Sequence, residues 1–292
     1  MTASKKDQEK SSSDRPSWLI HIEERIEEER DEFPLECPYY EIVRDLLLVP
    51  KEDNNAVSQA IHKFYDVYTT EAENEIRRRP EYSAGHKLNT IASVTFETAD
   101  EIFYTTYQHD RLAELLIGIK REAANEYNIE NPKFVYYSWG VENAANESWN
   151  AGHVDALTQR FATEPKEIWA EAWINTSALL AKLFQGGLLD ADGARWIADD
   201  FERAFESDIP GDVRSDIGRQ AQILALVNYI IIAGEIFVKK VRRPSQTWKL
   251  WASKIKGVAD TVDKDTRWDL KGRAQMAYDR MVELYPEAFD ER

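Results

Sequence analysis

The stretch that decides the fold is Ile223-Leu-Ala-Leu-Val-Asn228-Tyr-Ile-Ile-Ile-Ala-Gly-Glu235-Ile-Phe-Val238. It is interrupted by Asn228 and Glu235 but shows no alternation of period two, so it reads as a helix apolar on nearly every face and therefore buried. At sixteen residues it falls short of the roughly 20 a bilayer span requires. It is expected to be a core helix rather than a membrane anchor. Outward from it, Pro210-Gly211 marks a break upstream and Pro244 one downstream, which sets a longest helix from Asp212 to about Arg242.

Helical spacing recurs across most of the chain. Trp18, Ile22 and Ile26 lie three to four apart in a first helix reaching about Asp31, and a short helix covers Tyr40 to Leu48. Val57, Ile61, Phe64, Tyr65 and Tyr68 form one stripe of a helix over about 54–79, closed by Pro80. The next helix is expected to open at Thr98 or Asp100 and run to about Tyr127. Phe134 to Trp139 is the best strand candidate, followed by a loop containing Trp139, Trp149 and His153. Pro165 starts a helix through Phe184 that stops at Gly186-Gly187, since Pro suits a first turn and Gly a helix end. Further helices are expected over 190–207, 245–259 and 263–284. The fold class expected is all-α, an irregular multi-helix bundle around the helices at 98–127, 164–185 and 212–242. Residues 1–15 are expected to form a disordered tail and 16–292 a single helical domain.

Composition excludes several classes. The chain has 292 residues, 43% hydrophobic, with 9 Trp, 13 Tyr and 11 Phe, far too apolar for a disordered chain. With 12 Gly and 10 Pro it is no low-complexity or turn-dense all-β sequence. The net charge is −16, which disfavours nonspecific grip on nucleic acid or anionic membrane. That charge is uneven. Lys239 to Arg280 holds twelve basic and five acidic residues, a net of +7, so the rest carries −23. Such an asymmetry implies intramolecular attraction first and a ligand second. Cys37 is the single cysteine and the start of the chain lacks an apolar signal core. A cytoplasmic location is the expectation, with Lys239-Lys-Val-Arg-Arg243 leaving nuclear import open.

Catalytic equipment is sparse. The five His residues are His21, His62, His86, His109 and His153, and none shows the spacing that sets two imidazoles on one helix face. No metal and no cofactor are expected. A triad of Ser138, His153 and Asp155 exists on paper only, because triads are defined by geometry. The informative polar groups lie inside apolar helices. Asn228 and Glu235 sit seven apart on one face of the central helix, and Glu235 is flanked by Ile231, Ile232, Ile236 and Phe237. Either Glu235 pairs with an Arg or reaches the surface, or the two line an apolar pocket where a few polar groups fix a ligand. Asn175, beside Trp173, is a similar case: it bonds backbone of a neighbouring loop or it faces a cavity. Trp173, Asn175, Asn228 and Glu235 are thus the candidate ligand-binding residues. The basic third also interleaves Trp248, Trp251 and Trp268 with cations, the composition of a single-strand nucleic-acid platform. Trp248, Trp251, Ile255 and Val258 fall on one helix face, however, and nucleic acid is not expected.

Two segments carry a resemblance: Trp139-Gly140 with Glu147-Ser-Trp149-Asn150, and Trp173-Ile-Asn175-Thr-Ser-Ala178-Leu-Leu-Ala181-Lys-Leu183. They are similar to an all-helical family of filamentous fungi catalogued as a domain of unknown function (DUF3632), which carries a Trp-x-Asn-x-Asn-Ala-Phe-x-Ala-Arg-Leu pattern. Trp173, Asn175, Ala178, Ala181 and Leu183 match; Ser177, Leu179 and Lys182 depart from it. The resemblance implies a fungal, intracellular, helical protein and supplies no reaction or cofactor. Its occasional association with secondary metabolism suggests a small-molecule role. The leading functional expectation is a non-catalytic protein binding a small apolar ligand or a protein partner. The alternative is a cyclase- or isomerase-type enzyme working on an apolar small molecule by shape and one carboxylate.

Overall fold

The structure, a computed structural model, describes residues 15–31, 36–72, 80–126, 138–157, 166–206, 211–240 and 244–290. Among these the chain is all-α, with eleven α-helices and no strand. They are α1 (Ser17–Glu28), α2 (Cys37–Leu48), α3 (Ala56–Ala72), α4 (Pro80–Asp100), α5 (Tyr107–Glu126) and α6 (Trp139–Leu157). After them come α7 (Lys166–Gln185), α8 (Asp190–Glu206), α9 (Ile217–Lys240), α10 (Ser245–Thr261) and α11 (Leu270–Leu284). Short 3-10 turns sit at Glu29–Asp31, Arg267–Asp269 and Pro286–Ala288.

The apolar stretch is the core helix it was expected to be. Every residue from Gln220 to Ile230 is buried. The most apolar eighteen-residue window of α9 is 72% buried inside the protein, which accounts for its hydropathy without a bilayer. The helix is shorter than expected at its start. Asp212 to Ser215 form a turn, with the Asp212 carboxylate accepting from the Arg214 N–H, and Asp216 then accepts from the Arg219 N–H at 2.7 Å. An aspartate that satisfies an orphan first-turn donor is an N-cap, so Asp216 sets where α9 begins. At 24 residues it spans about 36 Å.

The most extensive helix pair is α7 with α9, and α7 also touches α4, α5, α6 and α8. Trp169 lies against Gly218, and further along the Ser177 hydroxyl faces Tyr229. The contacts ascend together, so the two helices run parallel, with α8 as the crossover between them. α7 stops where expected. Leu188 N–H donates to the Leu183 carbonyl and Gly187 N–H to that of Phe184, with Gly187 at φ 81°, a Schellman stop that the two glycines encode. One buried apolar cluster extends from Trp18 to Ala288.

Two expectations are overturned. The span 98–127 is two helices: α4 ends at Asp100 and α5 starts at Tyr107. Pro80 opens α4 rather than only closing its predecessor. The sequence of α4 hid the helix because it is rich in Thr, Ser, Asn and His. Its Thr90, Thr95 and Thr98 hydroxyls donate to carbonyls four residues back, which quiets the competition that makes such residues poor helix formers. The expected loop through Trp149 and His153 is instead helix α6. Its buried face is Gly140, Val141, Ala144, Ala145 and Trp149, a helical stripe of small residues. Small residues there let α4 and α6 approach closely: a Cβ on Gly140 would collide with the Gly85 carbonyl oxygen. Residues 134–137 of the strand candidate and residues 1–14 of the expected tail lie outside the described residues; Trp139 is helical.

Candidate functional site

The turn between α4 and α5, residues 101–106, is where the buried polar groups converge. The Asn175 side chain of α7 reaches it twice. Its Oδ1 accepts from the Tyr104 N–H at 3.1 Å, and its Nδ2 donates to the Asp100 carbonyl at 3.0 Å. The Lys182 ammonium, two turns along α7, donates to the Tyr104 carbonyl at 2.8 Å and to His109 Nδ1 at 2.9 Å, and pairs with Asp110 at 2.7 Å. His109 Nε2 completes the circuit with an N–H to the Asn175 carbonyl at 3.0 Å. With Lys182 donating to Nδ1, the imidazole is neutral and carries its proton on Nε2.

Burial sets the charges here. It pushes His109 down to about 3, helped by the Lys182 cation. It also lowers Lys182, whose ion pair with Asp110 opposes the shift. Asp100 is pushed up to about 7 by burial, against a hydrogen bond from the Thr176 hydroxyl. A second network adjoins it: Glu97 accepts from the Tyr40 hydroxyl at 2.6 Å and meets His21 and Arg25 at 3.1 and 3.2 Å. Burial works to raise Glu97, but those partners together hold it below the usual carboxylate range.

The four residues singled out from sequence divide. Asn175 and Asn228 come together around Tyr104. Arg273 donates to Asn228 Oδ1 through Nε and Nη2 at 3.2 and 2.7 Å, and its guanidinium lies 5.0 Å from the centre of the Tyr104 ring. Trp173 is buried, its ring 5.2 Å from that of Trp169. Glu235 stands apart: its side chain is 57% exposed and accepts from Arg280 at 2.5 Å. Ser138 precedes α6, while His153 and Asp155 fall on it with side chains outside the described residues.

Sequence reasoning missed a further buried group. Trp149 of α6 donates its indole N–H to both Asp200 oxygens at 3.2 Å, and its ring stacks on Trp196 at 5.6 Å. The Tyr229 hydroxyl faces Asp200 and Ser177, and burial raises it. The signal was Asp200 within the amphipathic run of α8, hidden by so many exposed carboxylates. Arg111 was missed as well. Its guanidinium donates to the carbonyls of Leu46, Val49, Pro50 and Asp53, tying off the end of α2. Among the described residues no group of three His, Cys, Asp or Glu could hold a metal ion.

No curated protein and no solved structure matches the chain. A family model does match, over residues 93–273, from the second half of α4 to the first turn of α11. That span takes in Asp100, Tyr104, His109, Asn175, Lys182, Asp200, Asn228 and Arg273. On this match the chain belongs to the family described as "Protein of unknown function (DUF3632)".

Proposed function

We propose that this chain is a non-catalytic binding protein for a small apolar molecule. One observation carries the reading: the buried polar groups that could do chemistry are committed to holding the fold. Asn175, Lys182 and Arg111 spend their donors on backbone carbonyls, and His109 is neutral with both ring nitrogens engaged. Acid–base catalysis needs a group within reach of a substrate and titrating near the working pH. His109 fails on titration, and Asp100, although raised to about 7, is bonded to Thr176. The one-carboxylate enzyme reading fares worse, because Glu235 lies in a surface ion pair with Arg280.

The test is to offer a small-molecule extract to the purified chain by equilibrium dialysis and identify what is enriched. Enrichment of a compound that is recovered unchanged after prolonged incubation is the expected result. Its conversion to a product would replace this reading with the enzyme one.

A further inference from the structure

A groove of about 360 Å³ lies where the end of α8, the turn before α9, the start of α9 and the face of α10 meet. Its lining mixes the apolar side chains Phe205, Val213 and Val258 with the polar Asp212, Arg219, Lys254 and Thr261. The volume falls in the range of small-molecule sites.

Two cations face it. Arg219 is half-buried and donates to neutral acceptors only, Gln222 Oε1 and the Ala204 carbonyl at 2.6 Å; no carboxylate among the described residues forms an ion pair with it. Burial lowers its affinity for a proton, and the nearby Asp216 carboxylate partly opposes that shift. Lys254, at the rim, has no ion-pair or hydrogen-bond partner among the described residues. The one acid in the lining, Asp212, is already engaged by Arg214 through Nε at 2.9 Å and Nη2 at 2.5 Å. On a chain of net charge −16, a groove that gathers Arg219 and an unpaired Lys254 is locally less acidic than the rest.

Resting on the binding reading above, we propose that this groove takes a small carboxylate with an apolar body, the body against Phe205 and Val213 and the carboxylate toward Lys254 and Arg219. Gly257 forms part of the lining, and a Cβ added there would meet nothing within 4 Å. A larger side chain can therefore fill the groove without disturbing the packing of α10, and replacing a mid-helix glycine favours the helix.

Sodium decanoate is the probe, followed by isothermal titration calorimetry, with decanol and sodium acetate as arms that each keep half of the chemistry. Saturable one-site binding of decanoate is expected, at least tenfold weaker for decanol and absent for acetate. Gly257→Leu should abolish binding while keeping the circular dichroism spectrum of the parent and a melting temperature at or above it. Lys254→Met, which keeps the stem and removes the charge, should weaken decanoate tenfold and leave decanol unchanged. Absence of decanoate binding, or binding that both variants retain, overturns the groove as the site. A different compound enriched by dialysis and unaffected by Gly257→Leu would leave the binding reading standing and move its site elsewhere.

Discussion

A single side chain, Asn175, closes the turn between α4 and α5 by giving one hydrogen bond and accepting another. Deleting it leaves the buried Tyr104 N–H and the half-buried Asp100 carbonyl without partners, at about 1–3 kcal/mol for the first and less for the second. Asn175→Ala should therefore lower stability in urea by about 2–4 kcal/mol. A loss below about 0.5 kcal/mol would mean that the turn is held by other groups. Two titrating groups flank it with opposite signs. Asp100 is raised from 3.8 to about 7, so the folded chain keeps a proton that the unfolded chain loses, and stability falls as pH rises through that window. His109 is lowered from 6.5 to about 3, so the unfolded chain takes the proton first, and stability falls as pH drops below 6.5. Between about pH 4 and 6.5 the two slopes oppose each other. Asp100→Asn keeps an acceptor for Thr176 and removes one of them. That variant should gain stability steadily from pH 4 to 6.5 and exceed the parent at pH 8. A pH profile identical to the parent's would show that Asp100 does not titrate as its burial requires. Asn175 was legible as a residue with two alternative roles. Asp100 and His109 were not legible as a set, because their partners lie 66 to 76 positions away and no local spacing announces them.

Among the helices, how much could be read from sequence follows from what each one buries. The α7, α8 and α9 helices bury Leu, Ile, Phe and Trp, so their periodicity is plain and their bounds came within a few residues, except at the start of α9, where Asp216 overrules the pattern. The α4 and α6 helices pack through Gly85, Gly140, Ala144 and Ala145, whose small side chains give little periodic contrast. Their contact joins close backbones at Gly140 with the Trp139 indole seated over Gly85. Glycine here has opposite consequences at two positions. Gly140→Ala should destabilise by about 1–3 kcal/mol, because the added methyl meets the backbone of Gly85, which cannot give way as a side chain could. Gly257→Ala, facing open space in α10, should stabilise by about 0.5–1 kcal/mol through helix propensity alone. Thermal melts of both variants decide the matter. Equal and favourable shifts would contradict the close approach of α4 and α6.

Across the molecule, the charge asymmetry seen in the sequence resolves into internal contacts. Lys271 donates to the Ala259 and Val262 carbonyls at the end of α10, at 2.8 Å each. Arg273 holds Asn228, Arg280 pairs with Glu235 and Glu283, and Arg267 meets Glu167 at 3.5 Å. Part of the basic third is therefore the cationic half of its own packing, with Trp248 and Trp251 buried beneath it rather than displayed. Polyanion binding driven by phosphate contacts would weaken steeply with salt. On a heparin column the chain should elute below about 0.15 M salt, within the range where exposed charges are only partly screened. Retention to several tenths molar would restore the reading of the basic third as a dock. The central claim, a committed scaffold that holds a small molecule without converting it, is tested most directly by native mass spectrometry of the protein isolated from its own host. One small molecule retained at unit stoichiometry, and released chemically unchanged after incubation at working temperature, is the expected result. A bare chain mass under conditions that preserve noncovalent complexes, or the appearance of a product mass in place of the retained one, would contradict it.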